Sequence, residues 1–551
     1  MGNKNIVLCS DGTGNRDIKG RGTNVFKLYE AVDIQGHKEN QSYKPQLAFY
    51  DDGIGSSSFL PVKIIGGVLG WGFSKNVRDL YTELVHVYEP GDSLYLFGFS
   101  RGGYTIRALA GMIQYCGIVD VTKDDIGKDK EELKSRVNAC WKQFKTEFFK
   151  PFQRDINRRR NVTPADAAID KVRRQELGAV MHPEYMPNGE PTIEFVGVWD
   201  TVAAIGAPVE ELRDIFNFFI PVKFADLLPG SHIKRACHAL SIDDERRSFH
   251  PELWNEAKAK DNQIEQVWFA GAHSNVGGGY PKQGMSFVAL DWMMAEAVQC
   301  GLRFIRGDQE SVRAHQDIHG KLYDSRAGLG LYYRWGPRDI VTLCRDHNIN
   351  VPKIHVSVFE RIANGTDGYA PGNIPFACKV VTTQSSTLGG FSPWPAQAAI
   401  EAIKQEIAQP SPPAGGCLMD TVRLTIWSGI LSYYAFFGST VLALWWLYKP
   451  PSFFENTAGI SWARGLVVGL FLVVGGIILA WSHKVDHTLD ATYSSFWGIR
   501  RKRLRELLDE QDGRDTYLGP MLPERAASEV WDRETTTILL TRRTRTTKGV
   551  E

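Results

Sequence analysis

Short apolar segments alternate with amphipathic ones through the first three quarters of the chain, and most are bounded by Gly, Asp or Pro. Apolar runs of about four to eight residues between such turn residues are typical of buried strands. Apolar residues at helical spacing lie between two of them, over 72–88. Strands this apolar, separated by helices, form parallel sheets that are covered on both faces, so the pattern predicts a doubly wound, mostly parallel α/β fold. The predicted strands are 5–10, 46–52, 93–100, 192–200, 264–273 and 352–362.

Two segments interrupt this alternation. Residues 121–190 are charged and helical in pattern, and they include the run RDINRRRNV, so we predict a helical insertion over the edge or the mouth of the sheet. The segment AQPSPPAGG has the composition of a linker. We therefore predict an α/β domain over residues 1–407 and a linker over 408–423.

Two long apolar runs follow the predicted linker. Residues 424–448 contain no charged side chain, and 465–481 form a second, shorter apolar run. A run of about 20 apolar residues crosses a bilayer, and Trp and Tyr collect at the ends of both runs, as they do at membrane interfaces. We predict a transmembrane helical hairpin over 424–482. The basic run RRKRLRE at 500–506 then predicts, by the positive-inside rule, that the α/β domain and a basic tail over 483–551 are cytoplasmic.

The overall charge balance excludes one class of partner. The chain has 64 basic and 63 acidic residues, so no bulk charge favours nucleic acid. Its eight cysteines are scattered, without a CxxC pair or a His/Cys cluster, which favours reduced thiols over a zinc site. We expect neither a metal nor a cofactor.

Candidate chemistry lies in the segment YLFGFSRGGYTIRALAGMI, where an apolar strand turns directly into a helix. Gly98, Ser100 and Gly102 form a G-x-S-x-G at that turn. In a nucleophile elbow a serine sits on a sharp strand-to-helix turn, and small flanking residues relieve the crowding. Glycines that merely end a strand and begin a helix are the alternative. The context predicts Ser100 as a nucleophile on an α/β-hydrolase-like sheet.

A serine hydroxyl needs a base and an orienting carboxylate, which follow it in the order Ser, Asp, His in this fold. Asp200 closes the predicted strand IEFVGVWD, and His273 closes QVWFAGAH ahead of a glycine-rich loop. These two complete the predicted triad, with structural roles as their alternatives. His250 is the rival base, in a polar segment without a strand ahead of it, and His238 and His355 favour structural roles.

The oxyanion of an ester's tetrahedral intermediate needs backbone N–H donors. One donor is predicted to be Arg101, directly after the nucleophile. A second is predicted in the loop CSDGTGN after the first strand, at Gly12 or Thr13. Asp11 in that loop is predicted to orient it, to bind a cation or only to support the turn.

Six blocks of the chain, in order, carry a family resemblance: SDGTGN, TNVFKLYEAV, GFSRGGYTIRALAGMI, FVGVWDTVAAIG, HALSIDDERRSFHPELW and VWFAGAHSNVGGGYP. Over about residues 4–380 the chain resembles the type VI secretion phospholipase effector family. The resemblance implies a serine esterase of the α/β-hydrolase fold that acts on phospholipid acyl chains, with Ser100 as nucleophile. Asp200 and His273 lie in matching blocks. It also implies a phospholipid membrane and an immunity or regulatory protein as partners, and delivery to another cell as an alternative to residence in the cell's own membrane. A transmembrane hairpin is not expected in a freely diffusible toxin, so it argues against injection into another cell.

Three hypotheses about function follow from these features. The first is a membrane-tethered phospholipase that uses the Ser100, Asp200 and His273 triad. The second keeps the triad but has a small soluble ester or thioester as substrate, with the hairpin only as an anchor. The third is a non-catalytic membrane-anchored binding module on the same scaffold, since a fold does not fix a function. The ordered triad favours the first two.

Overall fold

An eight-stranded sheet organises the part of the chain that the computed structural model describes, which comprises residues 4–12, 22–53, 68–122, 129–148, 193–202, 232–257, 259–383, 397–408, 416–448 and 460–509. The strands lie in the order β2-β1-β3-β4-β5-β6-β7-β8, and every neighbouring pair is parallel. Their bounds are β1 Asn5–Ser10, β2 Gln46–Asp51, β3 Ser93–Phe99, β4 Ile193–Trp199, β5 Ile233–Ser241, β6 Ile264–Phe269, β7 Lys353–His355 and β8 Lys379–Val381.

Helices connect the strands and continue beyond the last of them. The described helices are α1 Asn24–Ala31, α2 Gly36–Glu39, α3 Val68–Val87, α4 Arg101–Cys116, α5 Lys130–Phe148, α6 His273–Gly277, α7 Gly284–Gln299, α8 Arg306–Ala314, α9 Ile340–Asp346, α10 Val356–Asn364, α11 Gln397–Ile407, α12 Arg423–Tyr448 and α13 Ile460–Asp509. Short 3₁₀ turns occupy Arg247–Phe249, Gly328–Tyr332, Thr366–Gly368 and Leu418–Val422.

The sheet is covered on both faces, which explains why most positions of its central strands are apolar. In β3, Tyr95 and Phe97 point into one hydrophobic core, while Leu94 and Leu96 point into a second core on the opposite face. Helices α3, α4 and α5 build the second core, and α7 and α10 contribute to the first. The predicted α/β fold with a parallel sheet is therefore confirmed. Part of the predicted insertion forms α5, whose Trp141 is buried; residues 149–192 lie outside the described residues.

One predicted strand is wrong over most of its length. Of residues 352–362, only Lys353–His355 form a strand, and helix α10 begins at Val356. The apolar residues of α10 lie on one strongly amphipathic face, so its alternation was helical in period. Strands β5 and β8 were not predicted.

The strand order creates a crevice at the carboxyl edge of the sheet. The chain leaves β1 towards β2 on one side and then returns to form β3 on the other side of β1. Ligands of open α/β sheets bind at such a switch point. Because Ser10 at the end of β1 is in register with Gly98 near the end of β3, the loop after β1 and the turn after β3 lie side by side.

Helices α12 and α13 are long and apolar enough to cross a membrane, by length and composition. Only 11% and 17% of their most apolar windows is buried in the protein, unlike a core helix. The helices pack against each other, and the indole N–H of Trp481 donates to Ser428 Oγ at 2.9 Å. The 20 or so residues of α12 beyond this contact extend about 30 Å, which matches the hydrocarbon thickness of a bilayer.

The second half of α13 packs on the α/β domain. Tyr493, Trp497 and Leu504 join the first core, and the Trp497 indole donates to the carbonyl of Pro371 at 2.8 Å. Arg501 and Arg505 of the basic run donate to carbonyls at the end of α10, where cations are favourable. The predicted boundary between hairpin and tail thus falls inside one continuous helix, whose second half is part of the folded body.

We expect Trp497→Ala to destabilise the α/β domain by about 3–5 kcal/mol, because it leaves a cavity in the first core and an unpaired carbonyl at Pro371. Thermal unfolding of the full chain in detergent measures this. Ile499→Ala, on the same helix but 79% exposed, is the matched control and should unfold near the wild-type temperature. Equal unfolding temperatures for all three proteins would contradict the packing of this half of α13.

Candidate active site

Ser100 occupies the turn between β3 and α4 in a backbone conformation that non-glycine residues rarely adopt. Its φ is 58° and its ψ is −124°, a strain of order 1–3 kcal/mol that recurs at functional sites. The flanking glycines are required by close approach: a Cβ on Gly98 would lie 2.5 Å from the carbonyl oxygen of Gly102, and one on Gly102 would overlap the carbonyls of Ser10 and Asp11. The sequence thus forces Ser100 onto a sharp turn at the switch point, where 7% of its surface stays exposed.

Asp200 follows β4, next to β3 in the sheet, and also has a positive φ, 37°. Its backbone N–H donates to the carbonyl of Ala239 in β5 at 2.7 Å, which holds the residue at the edge of the sheet. The side chain is fully buried, and its carboxylate accepts from the backbone N–H of Ser241 at 2.9 Å and from the hydroxyl of Ser241 at 3.2 Å. These contacts fix the direction of the carboxylate.

His273 begins α6, four residues after the end of β6, and is buried. Its Nδ1 lies 2.5 Å from Asp200 Oδ2. The imidazole packs 4.6 Å from the ring of Phe99, the residue before Ser100, and 5.1 Å from the ring of Phe249, measured between ring centroids. Its Nε2 is buried and has no hydrogen-bond partner within the described part of the chain. The imidazole is thus held against the side chain of the residue that precedes Ser100.

Arg338 is a site residue that the sequence analysis missed. Its guanidinium is completely buried and donates to both carboxylate oxygens of Asp200, at 2.6 Å and 2.9 Å. It also donates to the carbonyls of Ser241 at 2.6 Å and Phe249 at 2.5 Å. A bidentate arginine and carboxylate pair is geometrically specific, so Arg338 fixes the carboxylate that holds His273.

The charges of this cluster set its protonation. Burial by itself raises the pKa of Asp200, but the Arg338 cation and the His273 hydrogen bond outweigh it and hold that pKa far below its usual value. Burial lowers the pKa of His273, although the Asp200 carboxylate opposes this. At neutral pH the pair is therefore an ionised aspartate and a neutral imidazole, the state in which an imidazole can accept a proton.

Asp244 is a second missed residue, and it supports the histidine from its backbone. Its carboxylate accepts from the His273 N–H at 3.2 Å and forms an ion pair with Arg246 at 2.7 Å. The Arg246 guanidinium lies 3.5 Å over the ring of Phe249. Asp244, Arg246 and Phe249 all lie in the block SIDDERRSFHPELW. The charged residues of this block have no helical or strand periodicity, so the sequence does not show which of them face the site.

The predicted oxyanion donors are placed differently from one another. Arg101 is the first residue of α4, where amides have no acceptor within the helix. Gly12 donates its N–H to Asp11 Oδ1 at 2.6 Å, so this amide is already bonded. Thr13 lies outside the described residues. The second oxyanion donor therefore stays a prediction.

Asp11 organises the loop after β1. Its Oδ2 accepts from the hydroxyls of Thr23 at 2.5 Å and Tyr50 at 2.7 Å. Lys27 is buried nearby, and burial lowers its pKa to about 7 against the opposing effect of Asp11. These contacts tie the described start of the loop to Thr23 and to β2, and the role of Asp11 stays a prediction. Within the described ranges, no group of three or more His, Cys, Asp or Glu residues is placed to hold a metal ion.

The rival histidines are engaged elsewhere. His250 lies 2.9 Å by Nδ1 from Arg247 Nη1 and 2.9 Å by Nε2 from the carbonyl of Gly336, and burial lowers its pKa to about 3. His238 accepts the Thr201 N–H through Nε2 at 3.1 Å. His355 stacks on Phe269 at 4.8 Å. None of these three pairs with Asp200 in the described structure.

The fold and the site together are those of an α/β protein with a serine on a strained strand-to-helix turn beside a buried Asp–His pair. The family model described as "T6SS, Phospholipase effector Tle1-like, catalytic domain" matches residues 4–296, more than half of the chain. The chain belongs to this family of phospholipase effector catalytic domains, as its sequence blocks predict.

Two individual proteins are similar to this chain. The uncharacterized protein YEL023C of Saccharomyces cerevisiae is 27% identical over 259 residues, which are 45% of this chain and 32% of the yeast protein. The chain thus matches about a third of that relative's length. A crystal structure of an uncharacterized protein from Pseudomonas aeruginosa is 20% identical and covers 57% of this chain and 50% of its own, with a TM-score of 0.32.

We expect substitution of Arg338 to change both the rate and the pH dependence of any reaction at this site. Arg338→Lys should lower kcat/KM roughly 10- to 100-fold, as loss of a group that orients a site side chain does. In Arg338→Gln the Asp200 charge is no longer compensated, which raises the pKa of His273. The acid limb of the kcat/KM profile, which reports the protonation of His273, should then move to higher pH.

Ester hydrolysis measured between pH 4 and 9, about the range over which imidazoles titrate, provides the readout. Circular dichroism identifies variants that fold, and Arg338→Lys retains a cation if Arg338→Gln does not fold. A folded Arg338→Gln protein with the wild-type rate and acid limb would show that Arg338 does not act through Asp200.

Proposed function

We propose that this protein is a membrane-tethered serine lipid esterase of the α/β-hydrolase type, a phospholipase that hydrolyses acyl esters of phospholipids. Ser100 Oγ attacks the ester carbonyl while His273 Nε2 takes its proton. His273 then returns the proton to the glycerol oxygen as the carbon–oxygen ester bond breaks. Water then attacks the acyl-enzyme while His273 Nε2 takes a proton from the water. His273 returns this proton to Ser100 Oγ as the bond to the acyl group breaks and the fatty acid leaves.

The observation that carries this proposal is the buried Asp200–His273 pair beside the Ser100 turn. Asp200 Oδ2 and His273 Nδ1 are 2.5 Å apart, which leaves Nε2 as the nitrogen free to act as a base. The ring contact between His273 and Phe99 holds the imidazole next to the residue that precedes Ser100. The amide of Arg101, at the positive end of α4, supplies one donor for the oxyanion.

Phospholipid as the substrate is supported by the family and by the apolar hairpin. The family model is that of a phospholipase effector catalytic domain. In this proposal the hairpin holds the site close to lipid, because the segment Gly328–Gly336 contacts both the hairpin helix α12 and the residues around His273. Trp335 of this segment packs on Gly429 of α12, and the Tyr433 hydroxyl of α12 donates to the Tyr332 carbonyl at 3.1 Å.

The same segment forms part of the wall of the site. The ring of its Tyr333 packs 5.5 Å from that of Phe249, which in turn contacts His273. In this proposal an ester drawn from a bilayer around α12 reaches the site along this segment. A small soluble ester would gain nothing from this arrangement, which is why the lipid substrate is preferred.

We expect a fluorophosphonate probe to label Ser100 and no labelling in Ser100→Ala, because only an activated serine attacks phosphorus. Hydrolysis of phospholipid by Ser100→Ala should fall to background, and His273→Ala should lose several orders of magnitude in turnover. Mass spectrometry of the labelled peptide and a fatty-acid release assay measure the two effects.

Matched controls are available for both residues. Ser42→Ala changes an exposed serine whose side chain hydrogen-bonds to Asn40, and it should behave as wild type. His250→Gln changes the rival histidine and should cost far less than His273→Ala. A folded, active Ser100→Ala protein would refute the serine mechanism, and a mild His273→Ala beside a severe His250→Gln would reverse the choice of base. Equal rates on short and long acyl chains would favour the soluble-ester alternative.

For the hairpin we expect resistance to extraction by salt or carbonate and release only by detergent, because two apolar helices would be buried in lipid. With the α/β domain cytoplasmic, a cysteine introduced as Asn456→Cys should react with an impermeant thiol reagent in intact cells. Asp509→Cys should react only after lysis, and the wild type with its native cysteines is the control. Release by carbonate would refute the spans, and labelling of Asp509→Cys alone would invert the topology.

A further inference from the structure

Arg101 has no hydrogen-bond or ion-pair partner among the described residues, whereas three other enclosed arginines each pair with a carboxylate. Arg235 pairs with Glu296 at 2.6 Å, Arg246 with Asp244 at 2.7 Å and Arg338 with Asp200 at 2.6 Å. Arg101 is the residue that directly follows the proposed nucleophile.

The Arg101 side chain lies at the start of α4, near the residues that surround His273. The side chain is largely enclosed by protein but keeps part of its surface exposed. Its electrostatic neighbour is the phenol of Tyr333, in the segment that contacts both the site and α12. Tyr333 packs on Phe249, and Phe249 packs on His273. The cation thus lies near the wall of the site that Tyr333 forms, on the helix that begins directly after Ser100.

An enclosed cation without a counter-charge is costly, because burial removes water and nothing replaces it. Burial accordingly lowers the pKa of Arg101 to about 10, which still leaves it charged at neutral pH. The cost is recovered when an anion enters from outside. A guanidinium matches the geometry of phosphate, to which it donates two parallel hydrogen bonds.

We propose that the Arg101 guanidinium binds the phosphate of the substrate's headgroup and so selects glycerophospholipids over neutral glycerides at this site. The inference rests on the proposed function. In a glycerophospholipid the phosphate is only a few bonds from the ester carbonyl, and Arg101 is the residue next to Ser100. One side chain can therefore hold the phosphate while the neighbouring serine attacks the ester. The backbone N–H of Arg101 serves the oxyanion, so its two ends bind the two charged parts of the substrate.

The experiment compares two substrates with the same short acyl chains, a dispersed phosphatidylcholine and the corresponding diacylglycerol, on the full chain in detergent. Arg101→Gln should lower kcat/KM for the phospholipid roughly 10- to 100-fold, the range for a lost charge-assisted hydrogen bond. Its loss in kcat/KM for diacylglycerol should be much smaller than its loss for the phospholipid, because diacylglycerol has no phosphate for the side chain to bind. The kcat/KM of Arg101→Lys for the phospholipid should lie between those of wild type and Arg101→Gln. Lysine keeps the positive charge but cannot donate two parallel hydrogen bonds to phosphate as a guanidinium does.

The matched control is Arg306→Gln, which removes one arginine charge from an exposed ion pair with Glu310 and should change neither substrate. Inorganic phosphate distinguishes a free anion from the headgroup. If phosphate alters diacylglycerol turnover through Arg101 while the preference for phospholipid is unchanged in Arg101→Gln, the site binds a free anion and the proposal is overturned.

Equal losses on both substrates in folded Arg101→Gln would also overturn it, because Arg101 would then only support the turn. Ser100→Ala separates this failure from that of the proposed function. If Ser100→Ala is inactive on both substrates, the esterase stands and the headgroup contact alone fails. If it remains active, the esterase itself fails.

Discussion

The rest of the site depends on the hydrogen bonds and the ion pair that the buried carboxylate of Asp200 forms. Burial by itself makes an ionised carboxylate expensive, and an unpaired one would take up a proton. Here Arg338, Ser241 and His273 together provide five hydrogen bonds to it. These partners come from β5, α6 and the segment before α9, so the charge can exist only when those separate parts of the chain are assembled. Breaking a buried pair of this kind costs far more than a surface ion pair contributes.

The elements that the sequence predicts well are those whose surroundings repeat along the chain. Strands β1 and β3 are buried at every position, so all their interior residues are apolar or glycine, and the Ser100 turn is marked by its own glycines. Strand β5 is not predicted because Lys234 and Arg235 interrupt its run of apolar residues. Their charges are offset by Glu194 and Glu296, which lie far away in the sequence. The error at 352–362 has a similar origin, since a short apolar run does not distinguish strand from helix.

The residues of the candidate site also differ in how well the sequence predicts them. Asp200 and His273 were predicted because each closes or follows an apolar strand, and the carboxyl edge of a parallel sheet brings such residues together. Arg338 has no such mark: it is 138 residues from Asp200, and its own neighbourhood has the composition of a turn. Gly12 was predicted as a donor from the flexibility of its loop, yet Asp11 takes its N–H. Contacts of this kind depend on side chains that meet only in the folded chain.

The arrangement of α13 bears on how the hairpin and the site are related. The helix runs unbroken from Ile460 to Asp509, with its first half against α12 and its second half in the first core. A helix that is shared in this way gives the hairpin a fixed direction from the sheet, which a flexible linker could not. The segment Gly328–Gly336 adds a second connection, since it contacts α12 on one side and Phe249 on the other. It leads directly to Arg338, so the chain that packs against the apolar helix also carries the cation that keeps Asp200 ionised.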